Sequence, residues 1–181
     1  MKFDQRIILK NGKKARLRNA DTADGEALCD IYTATHAETN YLLSYPDEIS
    51  IDPEQEGQLL HEKTVSPNEI EIVAVIDDKV VGTAGIKAVG KKHKVRHRAD
   101  FGISILKEYW GLGLGRALTA ACIRCARDAG YAQLELTAVS GNERALSLYR
   151  ALGFEEFGRN PRGFNSRVSG YQELVYMLLS L

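Results

Sequence analysis

The chain has 181 residues, 44% hydrophobic and 27% charged, and its 24 basic and 24 acidic side chains give a formal net charge of zero. This size and composition are typical of one globular domain, so we expect residues 1–181 to form a single domain. Charge balance argues against a nucleic-acid or membrane-surface partner, and no apolar run approaches the ~20 residues of a membrane span.

The first predicted element is a β-hairpin. Two short runs that contain apolar residues, 6–9 and 13–17, flank the dipeptide Asn11-Gly12. Asn-Gly is typical of a two-residue type I′ turn, because both central residues of that turn need positive φ. The same segment lacks the apolar core and the small-residue cleavage site of a signal peptide, so we expect a cytoplasmic protein.

Two helices are predicted next. Asp21 is a typical N-cap for the first, with Asp24 at the third position as in a capping box. Asp52-Pro53 begins the second, which runs to about Val65, because proline is favoured at the first helical position. Residues 36–52 lie largely between them and show no clear period.

Three strands rich in Val and Ile follow. The first two, 70–76 and 79–89, flank a turn at Asp77-Asp78 and are predicted to pair antiparallel. The third begins near Val95, after the basic loop 90–94. Because this basic stretch has no interleaved aromatic side chain, we interpret it as a solvated hairpin tip rather than a nucleic-acid site.

A glycine-rich turn connects the third of these strands to a helix. The turn reads Trp110-Gly-Leu-Gly-Leu-Gly115, and the helix carries one apolar face made of Leu118, Ala121, Cys122, Cys125 and Ala129. Glycines let backbone N–H groups approach a ligand, and a helix N-terminus offers unpaired donors and a partial positive charge. The stretch therefore predicts an anion site, typically for phosphate.

Neither common nucleotide motif fits this turn. No Gly-Lys-Ser/Thr follows, and the last glycine of G-x-G-x-x-G, counted from Gly111 or Gly113, falls on Arg116 or Leu118. Glu135 does lie 20 residues after the last glycine, where Rossmann folds place a ribose-binding acid. A Rossmann loop, however, follows the first strand of its βαβ unit. A Rossmann protein is therefore a distant third alternative.

The cysteines raise the question of a redox or zinc site. Cys122 and Cys125 form a C-x-x-C pair, but no second pair exists to complete a zinc site. Both lie on the apolar helix face, where a free cysteine packs as a small hydrophobe. We predict buried thiols and no metal.

The last predicted elements are a strand, a helix that Gly153 ends, and two strands separated by a loop: 132–139, 142–152, 154–158 and 171–179, with the loop at 159–163. The complete order is β-β-α-α-β-β-β-α-β-α-β-β. It predicts an α/β fold (α+β by some schemes), with a mixed, mostly antiparallel central sheet flanked by helices.

Two motifs in the second half resemble those of one enzyme family. The glycine turn resembles the pattern Gln/Arg-x-x-Gly-x-Gly/Ala, with Trp110 at the first position. The second motif begins 27 residues after Gly115, at Asn142, and is similar to N-x-x-A-x-x-L-Y-x-x-x-G-F at every fixed position. Both are motifs of the GNAT superfamily of N-acetyltransferases. The resemblance covers residues 70–160 and implies one N-acetyltransferase domain, with two strands splayed to admit the pantetheine arm of acetyl-CoA.

The resemblance implies an acetyl-CoA-dependent enzyme that moves the acetyl group to a primary amine by direct attack on the thioester. It assigns acetyl-CoA binding to Ile103, Ser104, Ile105, Gly111, Leu112, Gly113, Leu114, Gly115, Arg116 and Asn142. The amides of 111–116 would cradle the pyrophosphate, and the backbone of 103–105 would pair with the pantetheine amides. The Ile105 N–H would then be the oxyanion donor.

Tyr149 is the expected general acid, because its hydroxyl can protonate the departing thiolate. Alternatively, its ring simply packs on the apolar face of its helix. The general base stays open. Some ribosomal-protein alanine acetyltransferases carry a Glu where this chain has Thr137, which leaves His97, Asp100 or a water.

The acceptor is also open, as a small-molecule amine or a peptide N-terminus. We expect its specificity in residues 36–52 and 158–170, because loops on a rigid scaffold usually carry it. The acidic and aromatic residues of the first segment form either a solvated loop or a rim for a cationic amine: Tyr41, Tyr45, Asp47, Glu48 and Asp52. A non-catalytic acyl-CoA sensor on the same fold is the rival function. The chain can be a monomer or a homodimer.

Overall fold

The computed structural model describes residues 1–181, which are organised around one eight-stranded sheet. Its strands are β1 (Asp4–Ile8), β2 (Lys14–Asn19), β3 (Ile70–Ile76), β4 (Lys79–Ala88), β5 (Arg98–Ile105), β6 (Gln133–Val139), β7 (Glu155–Ser166) and β8 (Gly170–Ser180). The α-helices are α1 (Gly25–Glu38), α2 (Pro53–Val65), α3 (Leu114–Asp128) and α4 (Glu143–Arg150).

The strands lie in the order β1-β2-β3-β4-β5-β6-β8-β7. Every neighbouring pair is antiparallel except β5 and β6, which run parallel. The predicted order of elements and the mixed, mostly antiparallel sheet are therefore confirmed.

The turn between β1 and β2 differs from the prediction. Only Gly12 has a positive φ, 82°, and its N–H donates to the Leu9 carbonyl at 2.9 Å. Only the glycine adopts the left-handed conformation, and Asn11 has a negative φ. The predicted type I′ turn, which needs positive φ at both residues, is therefore wrong. Between β3 and β4, by contrast, both Asp77 and Asp78 have positive φ, as a type I′ turn requires.

The predicted start of α2 is confirmed, whereas α1 begins three residues later than predicted, at Gly25, with Asp24 as its N-cap. The Asp21 carboxylate accepts from the Thr22 N–H, and the Asp24 carboxylate accepts from the Asp21 N–H at 2.8 Å. These bonds form the capping box of a short 3₁₀ turn before α1. Asp52 accepts from the Gln55 N–H at 3.1 Å and caps α2.

Two strands differ from the prediction in extent. β5 begins at Arg98 rather than Val95, because the chain before it turns, with the Val95 N–H bonded to the Lys92 carbonyl at 3.0 Å. β7 continues through residues 159–163, where the sequence predicts a loop. Its register against β8 shifts after Asn160, and this irregularity accommodates a proline that has no N–H for the ladder.

Helices cover both faces of the sheet. α3 and α4 pack on one face over the larger core, where Cys122 and Cys125 are buried as predicted and burial raises the pKa of both thiols. α1 and α2 pack on the other face around Leu28, Leu60 and Val73. No helix has both the length and the apolar content needed to cross a membrane.

Candidate active site

β5 and β6 separate in the middle of the sheet. They pair over three residues only, the last being Asp100 opposite Glu135. Arg98 binds both carboxylate oxygens of Glu135 at this point, one of them at 2.7 Å, and so holds the closed end together. Glu135 is therefore an ion-pair partner within the sheet, not a ribose-binding acid. Beyond it the strands diverge around a cavity of about 1200 Å³.

The backbone of β5 faces this gap. The Leu106 N–H donates to the Val81 carbonyl at 3.0 Å, and bonded positions alternate along an antiparallel pair. Ile103 and Ile105 consequently fall at positions that are not bonded to β4, and their N–H and C=O groups point toward the gap. The indole N–H of Trp110 donates to the Ile105 carbonyl at 2.7 Å. The Ile105 N–H is left facing the cavity.

The glycine turn closes one end of the cavity. Gly111 and Gly113 have φ of 78° and 93°, which side-chain-bearing residues rarely adopt, and Gly113 is the N-cap of α3. A Cβ on Gly115 would lie 3.3 Å from Leu148, so this glycine allows α3 to approach α4. The leucines at 112 and 114 do not line the cavity. They pack in the core instead, so only their backbone can serve a ligand.

Asn142 and Tyr149 both line the cavity from α4. The Asn142 side-chain oxygen caps the helix through the Ala145 N–H at 3.3 Å, and its amide NH₂ has no protein partner. Tyr149 is 7% exposed, with its ring 6.1 Å from Phe101 and 5.8 Å from Phe154. Its hydroxyl forms no hydrogen bond within the protein, and burial raises its pKa to about 12.

The structure separates the two candidate bases. Asp100 lines the cavity, and burial raises the pKa of its carboxyl despite the opposing effect of Lys87, its cross-strand neighbour. His97 lies in the exposed turn before β5 and does not reach the cavity. Thr137 lines the cavity but has no acid–base chemistry to offer there.

A buried polar cluster under α1 and α2 was not predicted from the sequence. The Glu71 carboxylate accepts from Lys63 at 2.7 Å and from the Thr83 hydroxyl at 2.5 Å, and all three residues line the cavity. A Cβ on Gly85 would lie 2.3 Å from a Glu71 oxygen, so this glycine makes room for the carboxylate. The available signal was a lone acid in the apolar strand β3.

The two segments expected to carry specificity meet over the cavity. The Tyr45 hydroxyl accepts from the Arg167 N–H at 2.6 Å, and the Arg167 guanidinium binds Asp47 at 2.8 Å and Glu48 at 3.0 Å. Residues 41–43 and Phe164 line the cavity beneath this junction. Asp47 and Glu48 both bind Arg167, which balances one of their two charges, and Asp52 caps α2. All three acids have partners within the protein, which favours the interpretation as a surface loop over a rim for a cationic amine.

Cationic side chains surround the glycine turn. Lys10 and Arg144 line the cavity together with Arg116. The Lys10 N–H donates to the Leu112 carbonyl at 3.1 Å, which ties the β1–β2 turn to the glycine turn. Lys10 was missed because it lies about a hundred residues from the motif. No group of three or more His, Cys, Asp or Glu side chains is placed to hold a metal ion.

Comparison with known proteins agrees with this geometry. Residues 27–154 match the model of the acetyltransferase (GNAT) family. Human N-acetyltransferase 8B is 34% identical over 89 residues, which cover 49% of this chain and 39% of that protein. N-alpha-acetyltransferase RimI of Mycobacterium tuberculosis is 33% identical over 105 residues, which cover 58% and 63%. The chain thus spans less than two thirds of the length of either relative.

A solved structure covers almost the whole fold. The acetyltransferase of the GNAT family from Streptococcus pneumoniae aligns with a TM-score of 0.88 at 28% identity. The alignment includes 92% of this chain and 99% of that one.

Proposed function

The chain belongs to the acetyltransferase (GNAT) family, as its two motifs predicted, and we propose that it is an acetyl-CoA-dependent N-acetyltransferase acting on a primary amine. The observation that carries this proposal is the gap between β5 and β6, with the glycine turn at one end. A ligand with a phosphate head and an extended arm of amide groups fits this shape. The unpaired amides of the turn suit the head, and the open backbone of β5 suits the arm.

Binding of acetyl-CoA is assigned to three groups of residues. The backbone amides of 111–116 hold the pyrophosphate, since two glycines there keep side chains out of the way. Ile103 and Ile105 offer the pantetheine arm the backbone groups that β4 leaves free, whereas the Ser104 N–H and C=O point toward β4, so Ser104 lies beside the arm without pairing with it. The free NH₂ of Asn142 donates to the same arm.

The reaction uses three groups of this chain. Acetyl-CoA supplies the acetyl group as a thioester, and the amine nitrogen forms a bond to its carbonyl carbon. Asp100 removes a proton from the amine, directly or through a water, and later releases it to solvent. The Ile105 N–H stabilises the negative charge that develops on the carbonyl oxygen. Tyr149 donates a proton to the sulfur as the carbon–sulfur bond breaks, and it recovers that proton from water.

The acceptor enters from the opposite side of the sheet. The α1–α2 face of the cavity is lined by Tyr32, Thr35 and Leu42 as well as by the Glu71 cluster. This lining is mixed in polarity and suits a small-molecule amine or a peptide N-terminus. The M. tuberculosis relative, named as an N-alpha-acetyltransferase, supports the second class.

Domain organisation, location and assembly extend the proposal. One continuous sheet joins β1 to β7, which supports one N-acetyltransferase domain over residues 1–181. All three cysteines are free thiols, which fits a reducing compartment and hence a cytoplasmic location. A monomer or a homodimer is consistent with this site, because the chain supplies every proposed group itself.

An amine-panel assay tests the proposed function. The protein is incubated with acetyl-CoA and one amine at a time, and the release of free CoA thiol is measured. The panel contains amino acids, polyamines, aminoglycosides and peptides with free N-termini. We expect saturable, amine-dependent CoA release with at least one acceptor, and the acetylated amine is identified by mass. Tight acetyl-CoA binding without turnover on any class would favour the sensor alternative instead.

A further inference from the structure

Three cations without an acidic partner gather at the glycine turn. Lys10, Arg116 and Arg144 line the cavity, and none of them takes part in any of the ten salt bridges of the chain. The nearest acid in sequence to Arg144 is Glu143, which lies 3.7 Å from Arg150. In a chain of zero net charge, this grouping leaves a local excess of positive charge at one end of the cavity.

Arg144 differs from the other two because the protein holds its charged group in place. Its guanidinium carbon lies 4.8 Å from the centre of the Trp110 ring, within the range of a cation–π contact. Trp110 is itself fixed, because its indole N–H donates to the Ile105 carbonyl at 2.7 Å. The stack therefore joins the start of the glycine turn to the start of α4, and both of its members line the cavity.

Trp110 cannot donate a hydrogen bond to a phosphate from this position. Its single donor is used on β5, and an indole has no other. The five donors of the Arg144 guanidinium, in contrast, have no hydrogen-bond partner in the protein. A stacked arginine keeps the edge of its planar fork available, and that edge matches a phosphate group.

We propose that Arg144, held on the indole of Trp110, is a cationic arm that binds a phosphate group of coenzyme A. The inference rests on the proposed function, because it assumes that coenzyme A occupies the cavity. It adds a residue of α4 to the phosphate site and gives Trp110 the role of a platform rather than of a ligand contact. The phosphate is either the pyrophosphate at the glycine turn or the 3′-phosphate of the ribose.

The chain contains its own probe for this site. Trp110 is the sole tryptophan, so intrinsic fluorescence reports directly on the stack. Titration at low salt with CoA, dephospho-CoA and pantetheine is compared between the wild type and Arg144→Ala. Loss of a charge-assisted contact predicts CoA binding weaker by about tenfold to a hundredfold, with pantetheine binding unchanged.

Dephospho-CoA, which lacks the 3′-phosphate, identifies the phosphate group that Arg144 binds. Loss confined to CoA assigns Arg144 to the 3′-phosphate, and equal loss for CoA and dephospho-CoA assigns it to the pyrophosphate. Arg127→Ala is the matched control, because Arg127 is an exposed arginine in the last turn of α3 that does not line the cavity. It removes the same charge and should leave the affinity unchanged.

Calorimetry on the platform completes the test. Trp110→Ala should weaken CoA binding about as much as Arg144→Ala. The double variant should lose little more affinity, because either single substitution already disrupts the stack. Trp110→Arg in the Arg144→Ala background should recover affinity, since it returns a cation to the same place. Arg144→Ala with wild-type CoA affinity, or with equal losses for pantetheine, would overturn the proposal. A wild-type chain that binds no CoA would instead overturn the proposed function.

Discussion

Burial sets the acidity of Tyr149. The ring lies between two phenylalanines, and burial raises the pKa of the hydroxyl to about 12. A thiol has a pKa of about 8.5, so complete proton transfer from Tyr149 to a free thiolate is uphill. The hydroxyl therefore stays protonated at neutral pH, as the proposed role of general acid requires.

Replacing Tyr149 by Phe removes one oxygen and keeps the aromatic packing. We expect kcat to fall by about 10²–10⁴ while the Kd for acetyl-CoA stays near the wild-type value, because the hydroxyl acts on the leaving sulfur. Steady-state kinetics and calorimetry measure the two quantities. Thermal unfolding should change little, since this hydroxyl has no hydrogen bond within the protein to lose. A folded variant with wild-type kcat, when chemistry limits the rate, would remove Tyr149 from the proposed role.

Asp100 predicts a characteristic pH dependence. Burial raises the pKa of its carboxyl, and only the deprotonated form accepts a proton, so kcat/KM should fall as the pH drops through that raised pKa. Asp100→Asn should lose this limb and lower kcat by about 10²–10⁴. Ionisation of the acceptor amine also shapes the pH profile, so the measurement is repeated with acceptors whose amines differ in pKa. The limb of the profile that belongs to the amine moves with the acceptor, and the limb that belongs to Asp100 does not. A stationary limb that persists in Asp100→Asn would assign it to another group.

The two motifs predicted the cavity residues that lie within the motifs themselves. The other cavity residues reach the site through contacts between segments that are distant in sequence. Tyr149 and Asn142 line the cavity as their spacing on one helix suggested. Lys10 reaches the glycine turn only because β1 and β2 form a hairpin beside it. The choice between His97 and Asp100 depended on where β5 begins, because a start at Arg98 leaves His97 in the exposed turn and keeps Asp100 within the strand.

Among the elements, the long β7–β8 ribbon departs most from what the sequence predicted. Residues 159–163 contain proline and glycine and read as a loop, yet the strand passes through them with a bulge. This extension carries Arg167 to the α1–α2 connection, where it binds Asp47 and Glu48. Local sequence could not predict that junction, because its partners are about 120 residues apart.

Arg167→Ala tests whether this junction shapes the acceptor side. Exposed ion pairs contribute little to stability, so the melting temperature should change by only a few degrees. Release of the segment above the cavity should raise the KM for the acceptor about three- to tenfold, without changing acetyl-CoA affinity.

The matched control for Arg167 is Arg159→Ala. Arg159 also binds two carboxylates, those of Glu156 and Glu173, but all three residues lie within the β7–β8 ribbon. It should therefore leave the acceptor KM unchanged. Equal effects of the two substitutions on KM would mean that the junction has no special role.

On the scale of the whole molecule, the proposed site lies at the one interruption of the sheet. Antiparallel pairing holds every neighbouring pair except β5 and β6, which run parallel, are joined for three residues and then separate. The order of elements was predictable from hydrophobic periodicity and turn residues, because those patterns are local. The divergence was not, since it lies between strands about 35 residues apart in sequence, where Arg98 and Glu135 meet across the sheet at the paired end. Only the family resemblance anticipated it.

Acetyl-CoA binding at the glycine turn is the most direct test of this account, measured as a shift in melting temperature in the wild type, Gly113→Glu and Gly130→Glu. Gly130 has φ of 78° with open space around it, so it reproduces the backbone strain of Gly113, with φ of 93°, away from the cavity. At a hundred times Kd the ligand should add about 2.7 kcal/mol, or roughly 5–10 °C for a chain of this size. We expect both variants to melt earlier than the wild type without ligand. The wild type and Gly130→Glu should shift with acetyl-CoA, and Gly113→Glu should not, because its carboxylate occupies the phosphate position. An undiminished shift in Gly113→Glu would contradict the account.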